Sequence, residues 1–198
     1  MKIQIEEKDD SISYEIIHQV LEKAHQKHKE NGFVLKTSKL SGEELKKRIG
    51  ENGKCFVALH DGKVVGTLSV RLVKRNTWYA KGIIPDYILA GILPEYQGKH
   101  INTMLSNKAF DYSKNNGFDR IELDTAEKNK QAIKVYQHLG FRLVDFKAFS
   151  GADHYSVVMI KNFYKFPYSK VYYSLRFLIK KYYIKLRYKI GGKKRFRI

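Results

Sequence analysis

Cysteine is almost missing from this chain of 198 residues, in which Cys55 is the only example. One thiol makes no internal disulfide and no cysteine metal cluster, so disulfide scaffolds and cysteine-ligated metal sites are excluded. Cys55 lies in the apolar run Cys-Phe-Val-Ala-Leu, which predicts a buried, inert thiol. This scarcity of cysteine also indicates a reducing setting.

Long apolar runs are also missing. No stretch reaches the ~18 uncharged apolar residues of a membrane-spanning helix. The N-terminal sequence Met-Lys-Ile-Gln-Ile-Glu-Glu-Lys has no apolar core of a secretory signal. We therefore expect a cytoplasmic protein, and a hydrophobic fraction of 43% is enough for a real core.

Acidic residues are absent from one part of the chain, residues 165–198, which carry 12 Lys or Arg. Residues 1–164 carry 26 basic and 20 acidic residues and are only moderately basic. This shift predicts a globular domain over residues 1–164, followed by a basic, aromatic C-terminal extension over residues 165–198.

The hydrophobic periodicity of the first part predicts a mixed fold of helices and strands. Ser41 and Glu44 form a capping-box pattern at a helix start. Asp61-Gly62 predicts a tight hairpin turn between two apolar strands. Further along, strands and helices alternate, which indicates parallel pairing around two helices. Those two predicted helices are Ile101–Asn115 and Lys130–Leu139.

A predicted phosphate loop follows the apolar strand Asp86–Leu93. Its sequence is Leu-Pro-Glu-Tyr-Gln-Gly-Lys, in which Pro94 ends the strand and Gly98 allows a sharp turn into the next helix. The start of a helix exposes unpaired backbone N–H groups and the positive end of the helix dipole, which suit a pyrophosphate. Such a turn on its own is equally typical of an ordinary strand-to-helix connection.

A second motif lies about thirty residues downstream, after the predicted strand Arg120–Asp124. Asn129, Ala132 and Tyr136 are spaced so that they share one helix face. The small Ala132 leaves room for a ligand chain or for a second helix. Gly140 is typical of a helix C-terminus, and we interpret the following Phe141 as a core residue.

Together, the two motifs resemble those of the GCN5-related N-acetyltransferase (GNAT) family. The resemblance covers about residues 3–161 in element order, although only about fifty residues carry specific motifs. It implies an α/β (α+β) fold whose central sheet has six to seven mostly antiparallel strands flanked by helices. To this fold the sequence adds a C-terminal basic amphipathic helix.

The resemblance also implies acetyl-CoA, or another acyl-CoA, as co-substrate, with no metal. The strand end would pair with the pantetheine arm, the loop amides would hold the pyrophosphate, and the downstream motif would contact the cofactor. Tyr136 would also protonate the leaving thiolate. The implied cofactor-binding residues are Ile92, Leu93, Gln97, Gly98, Lys99, His100, Ile101, Asn102, Asn129, Ala132 and Tyr136.

The sequence departs from the family pattern at His100, where Gly is usual, and at Asn102, where Gly or Ala is usual. The His100 side chain would either crowd the loop or bind phosphate. The expected reaction is direct attack of an amine on the thioester, for which a base is needed. Asp86 is the candidate base, with Glu122 and Asp124 behind it; each of these residue types is also typical of strand ends.

The expected acceptor is a small-molecule amine, and a homodimer is one candidate assembly. Two other function classes stay open from the sequence. One is a non-catalytic acyl-CoA-binding or regulatory module; the other is a nucleic-acid-associated protein that binds through its basic tail. The basic, aromatic loop 74–81 is typical either of a hairpin tip or of a site for an anionic or sugar acceptor.

The extension carries an apolar stripe at helical spacing, with cations on the other side. One interpretation is that residues 168–197 lie on an anionic membrane surface, which would place the protein at the inner membrane face. A second is docking on the domain or on a partner subunit, which would bury the stripe, and a third, less favoured, is nucleic-acid binding. The stripe consists of Val171, Leu175, Leu178, Tyr182 and Leu186.

Overall fold

The computed structural model describes residues 1–30, 39–148, 154–165 and 167–191. Seven strands form one sheet in the order β1-β2-β3-β4-β5-β7-β6, and helices flank it. The predicted mixed, mostly antiparallel fold is therefore confirmed. The strands are β1 (Gln4–Glu7), β2 (Lys54–His60), β3 (Lys63–Asn76), β4 (Lys81–Ile92), β5 (Arg120–Ala126), β6 (Arg142–Ala148) and β7 (Tyr155–Asn162).

Five helices lie along the described chain. They are α1 (Tyr14–Glu30), α2 (Gly42–Ile49), α3 (Ile101–Asn115), α4 (Lys130–His138) and α5 (Lys170–Gly191). The predicted end of the first helix, at Asn31-Gly32, and the predicted connection at residues 150–153 lie outside the described residues. The chain divides into two compact units, Met1–Ile121 and Glu122–Ile198. The predicted domain boundary after residue 164 stays a prediction.

In the first unit, a helix start and a hairpin turn form where the local sequence predicts them. The Ser41 side chain accepts from the Glu44 N–H while the Glu44 carboxylate accepts from the Ser41 N–H, which completes the capping box of α2. Asp61 and Gly62 both have positive φ, 50° and 74°, as the primed hairpin turn between β2 and β3 requires. The strand predicted to begin at Asp86 begins five residues earlier, because it pairs with β3 from Gly66 to the end of that strand at Asn76.

The core of the first unit lies on both faces of the sheet. Helices α1 and α2 cover one face, where Leu21 and Leu45 pack with Val57 and Ile88. Cys55 belongs to the same cluster and is buried, as predicted. Helix α3 covers the other face, where the rings of Phe56 and Tyr112 lie 5.9 Å apart. Side chains alternate along β2, so neighbouring residues serve opposite helices.

In the second unit, α5 packs along β6. Tyr173 and Phe177 are buried there, and the Phe177 ring meets that of Phe146 edge to face at 6.1 Å. Helix α5 therefore packs on its own unit through Tyr173 and Phe177, and not through the apolar stripe, which the docking interpretation expected to be buried. Among the described helices, none combines the length and apolar character needed to cross a bilayer.

Candidate functional site

The turn between β4 and α3 is the first part of the candidate site. A single 3₁₀ turn, Pro94–Tyr96, follows the strand, and the Gln97 N–H donates to the Pro94 carbonyl over 3.2 Å. The Gln97 side chain reaches back, and its Nε2 donates to the Ile92 carbonyl at 3.1 Å. Gln97 thus ties the loop to the end of the strand.

Two residues of this turn adopt left-handed backbone conformations. Gly98 has φ +77°, and His100 has φ 59° and ψ 9°. A residue with a Cβ pays roughly 1–2 kcal/mol for this conformation, whereas Gly pays little. His100 therefore departs from the family pattern at a cost in conformational energy, because the backbone conformation at this position favours Gly.

The N-terminus of α3 presents backbone donors. The first hydrogen bond that closes the helix runs from the Met104 N–H to the His100 carbonyl, at 3.1 Å. By helix geometry, the N–H groups of Ile101, Asn102 and Thr103 precede it and have no acceptor within the helix. The His100 side chain does not cap them. Three donors at the positive end of the helix dipole form a typical anion-binding arrangement.

Asn102, the second departure from the family pattern, is turned into the fold. Its Oδ1 accepts from the Tyr87 hydroxyl of β4 at 3.3 Å, and that hydroxyl also lies 3.0 Å from the Ser106 hydroxyl. The Asn102 side chain therefore lies below the loop, where its hydrogen bond links α3 to β4. The basic side chain of Lys99, by contrast, is exposed, with Nζ 5.0 Å from the Tyr96 ring centroid.

The predicted pantetheine strand end is already partly hydrogen-bonded. The Leu93 N–H donates to the Val65 carbonyl at 2.9 Å, and the Ile92 carbonyl accepts from the Gln97 side chain. Pairing of an extended ligand with the Ile92 carbonyl would require the Gln97 amide to move. The binding roles of Ile92 and Leu93 stay predictions.

A β-bulge interrupts β4 just before this strand end. Thr67 pairs with Gly91 and Ser69 pairs with Ile88, so β4 has one more residue than β3 between the two pairs. Leu89, within the bulge, has φ 54°, which a branched side chain seldom adopts. Bulges re-aim backbone and side-chain groups and are frequent beside active sites. Sequence reasoning missed this feature, because the run Ile-Leu-Ala has no turn residue.

Asp86, the candidate base, lies in a buried ion pair. Its carboxylate is 1% exposed, and Oδ2 accepts from both Nε and a terminal nitrogen of Arg71 at 2.8 Å. Arg75 approaches the same oxygen at 4.0 Å. Both guanidinium groups belong to β3, so the ion pair joins neighbouring strands. The arrangement fits a cross-strand link between β3 and β4, and a role of Asp86 as the base stays a prediction.

The second unit carries the downstream motif. Asn129 is the N-cap of α4, and its Oδ1 accepts from the Ala132 N–H at 3.2 Å. The motif spacing thus has a local structural cause as well as its predicted ligand role. The predicted C-terminal signal is also present, because Gly140 has φ +91° and Phe141 is buried in the core.

Tyr136 lies half-buried on α4, with its ring 5.9 Å from that of Phe141. Burial, and secondly the negative charge of Asp124, raise the pKa of Tyr136 to about 12. The phenol therefore keeps its proton throughout the neutral and mildly alkaline range. A group that holds its proton can donate it to a thiolate and cannot accept one as a base, although the raised pKa also makes the phenol a weaker acid.

The basic hairpin tip between β3 and β4 borders an open depression of about 570 Å³ in the first unit. Arg120 crosses this region and donates to the Tyr79 carbonyl at 2.8 Å. Its guanidinium also pairs with Asp119, and the hydrogen bond from Arg120 lowers the pKa of that carboxyl. Among the described residues, no group of three or more His, Cys, Asp or Glu side chains is arranged to hold a metal ion.

A strand-end bulge followed by an anion-binding helix start, on a mixed sheet of this order, is an arrangement suited to a ligand that carries a pyrophosphate. The chain matches the model of the Acetyltransferase (GNAT) family over residues 16–141. This is more than half of its length, and the protein belongs to that family.

Individual relatives match over shorter stretches. The chain is 31% identical over 86 residues to N-alpha-acetyltransferase 30 of Schizosaccharomyces pombe, which covers 43% of this chain and 55% of that protein. It is 29% identical over 87 residues to N-alpha-acetyltransferase MAK3 of Arabidopsis thaliana, 44% of each. The chain thus spans about half the length of these curated relatives.

Among solved structures, PaiA N-acetyltransferase from Thermoplasma acidophilum in complex with coenzyme A is similar in fold. The TM-score is 0.61 at 17% identity, and the match covers 82% of this chain and 100% of that one. At this identity the likeness shows the fold alone.

Proposed function

We propose that this protein transfers an acetyl group from acetyl-CoA to an amine by direct attack on the thioester. The observation that carries this proposal is the start of α3. There, the N–H groups of Ile101, Asn102 and Thr103 have no hydrogen-bond acceptor within the helix. Membership of the family supplies the class of reaction.

The backbone donors fit the pyrophosphate of the co-substrate. They require no particular side chain, so the unusual His100 and Asn102 leave them in place. The exposed ammonium of Lys99 adds positive charge at the same turn. Two charged phosphates at a helix N-terminus are stabilised both by hydrogen bonds and by the helix dipole.

The bulge at Leu89 supports a second part of the proposal. A strand that carries an extra residue turns one of its backbone groups away from the ladder. An N–H freed in this way is suited to polarise the thioester carbonyl, whose oxygen becomes more negative as the amine attacks. We assign this role to the backbone of the bulge rather than to any side chain.

Tyr136 completes the proposed reaction, in the role that the family resemblance implies. The neutral amine nitrogen bonds to the carbonyl carbon, the C–S bond breaks, and the departing thiolate takes the phenolic proton. Solvent then returns a proton to Tyr136 and accepts the one released by the acceptor nitrogen. We assign Asp86 to holding β3 against β4, because its buried carboxylate accepts hydrogen bonds from Arg71 on the neighbouring strand.

The acceptor was predicted to be a small-molecule amine, and the relatives favour a second candidate. Two of them are named as N-alpha-acetyltransferases, so the α-amino group of a peptide is the alternative acceptor. Both candidates present a primary amine to the same thioester and differ in what surrounds it.

A release assay tests the proposal and separates the two acceptors. The purified protein is incubated with acetyl-CoA and either a panel of amino sugars and polyamines or a panel of short peptides with different first residues. Free thiol is followed with a thiol reagent, and the buried Cys55 gives little background. Release that depends on one panel identifies the acceptor class. No release with either panel, despite acetyl-CoA binding, would favour the non-catalytic module.

A further inference from the structure

The outward face of α5 is apolar along most of its length. Val171 is 68% exposed, Leu178 58%, Ile179 67% and Tyr182 72%. Leu175 and Leu186 are exposed on the same side. We propose that this outer face of α5 binds the surface of an anionic lipid bilayer.

The orientation of α5 is set by contacts on its other side. Tyr173 and Phe177 are buried against β6, and the ring of Tyr188 lies 5.2 Å from that of Tyr155. These three residues are spaced four and eleven apart, so they share one helix face. Residues of the predicted apolar stripe are offset from these docked residues by about two positions, which is about half a helical turn. The stripe therefore lies on the opposite face of the helix. Docking of the helix thus leaves the stripe exposed among the residues of this unit that the structure describes.

Charge along the helix favours a negative surface. Residues 165–198 contain no acidic residue and 12 cations. On one flank, Lys181 and Lys185 bind the Glu127 carboxylate at 2.5 and 3.0 Å. On the other flank, the guanidinium groups of Arg176 and Arg187 donate to tyrosine hydroxyls one turn earlier. The helix itself contains no acidic residue, so its net charge is strongly positive.

The combination favours a lipid surface over other occupants. A second copy of α5 would bring two strongly cationic helices together, and their like charges would repel. RNA would satisfy the cations but would leave Val171, Leu178 and Ile179 without an apolar environment. An anionic bilayer provides both an apolar environment and negative charge. Its acyl chains contact the stripe, and its headgroups attract the cations. Lys180 and Lys181 in mid-helix oppose a spanning orientation.

Vesicle flotation tests the proposal without relying on acetyl transfer. The whole protein is mixed with vesicles of phosphatidylcholine alone or with about one third phosphatidylglycerol, and the bound fraction is measured after flotation. A triple variant, Val171→Ser with Leu178→Ser and Ile179→Ser, removes three exposed apolar side chains from the outer face and retains every cation. Ile83→Ser, at a side chain that is 60% exposed in the first unit, is the matched control.

We expect the wild-type protein and Ile83→Ser to bind the anionic vesicles, and the triple variant to bind at least tenfold more weakly. Binding to neutral vesicles should be at least tenfold weaker than binding to anionic ones. Circular dichroism and the thermal midpoint confirm that the triple variant is folded, as its changed residues are exposed. Equal binding by the triple variant, no binding by the wild type, or binding only to a control RNA would each overturn the proposal.

Discussion

The Tyr87 hydroxyl donates to the Asn102 side chain across 3.3 Å, which anchors the first turn of α3 to β4. This contact turns Asn102 away from the loop surface and leaves the backbone N–H groups of the turn for a ligand. Of the two departures from the family pattern, only His100 therefore affects the loop itself, through its left-handed backbone.

Two replacements of His100 separate its backbone effect from its side-chain effect. Both His100→Gly and His100→Ala remove the imidazole, but only Gly accepts φ 59° without strain. We expect the Gly variant to be about 1 kcal/mol more stable than the Ala variant, as measured by urea unfolding. If the imidazole binds phosphate, both variants lose acetyl-CoA affinity equally. Equal stability of the two variants would contradict the left-handed conformation.

Replacing Tyr136 by Phe tests its role as the proton donor. The ring contact with Phe141 is retained, so we expect acetyl-CoA affinity to change by less than about threefold while kcat falls by roughly 10²–10⁴. Because burial raises the pKa of Tyr136 to about 12, the wild-type rate should show no loss from this group between about pH 7 and pH 10. Tyr164→Phe, at an exposed position, is the control. An unchanged kcat would assign Tyr136 to the core.

Substitution of Asp86 and of Arg71 distinguishes an ion pair from a catalytic base. Arg71→Gln removes the nearer of two guanidinium groups at this buried carboxylate, and we expect it to lower the free energy of unfolding by about 3 kcal/mol. Asp86→Asn should cost less, since the half-buried guanidinium still reaches water. Both variants should keep kcat within about tenfold, whereas loss of a general base costs roughly 10²–10⁴. A loss of that size in Asp86→Asn alone would restore the predicted base.

Two neighbouring residues of α5 test which face of the helix docks. Phe177 is 7% exposed, and Phe177→Ala should cost about 3 kcal/mol in the free energy of unfolding. Leu178 is mostly exposed, and Leu178→Ala should stay within about 0.5 kcal/mol of the wild type. Chemical unfolding of both variants measures the difference. The reverse order would show that the helix is rotated and that the stripe is covered.

Glu127 predicts how docking of α5 depends on pH. Burial raises its pKa, but the ammonium groups of Lys181 and Lys185 outweigh this effect and lower the pKa below its ordinary value of 4.5. The stabilisation from Glu127 is therefore present above that value and is lost as the pH falls through the lower, folded pKa. Glu127→Gln should destabilise the protein near neutral pH and approach the wild type in acid.

The thermal midpoint of both proteins across this pH range provides the measurement. Asp111→Asn, which alters an exposed pair with Lys114, serves as the control. A gap between the wild type and Glu127→Gln that does not narrow in acid would contradict the lowered pKa.

Much of the fold could be predicted because its signals are local. The capping box at Ser41, the Asp61-Gly62 turn and the Gly98 turn each depend on the conformational limits of a few residues, which sequence carries directly. The bulge at Leu89 could not be predicted, because pairing with β3 imposes it on a uniformly apolar strand. The ion pair of Asp86 with Arg71 could not be predicted either, because only the register of β3 and β4 brings the two residues together.

The docking face of α5 shows a different limit of sequence reasoning. The helix is apolar on nearly every side, so periodicity identified a stripe but not which side meets the sheet. Aromatic residues that interrupt the polar face, Tyr173 and Phe177, proved to be the ones that dock. Long-range packing against β6 decided the orientation.

Calorimetric titration of the purified protein with acetyl-CoA, beside free CoA and a longer acyl-CoA, tests the central claim most directly. The account predicts saturable binding of acetyl-CoA with a dissociation constant in the micromolar range, held by the backbone donors of α3. Absence of binding to all three ligands would contradict the acetyltransferase assignment for this chain.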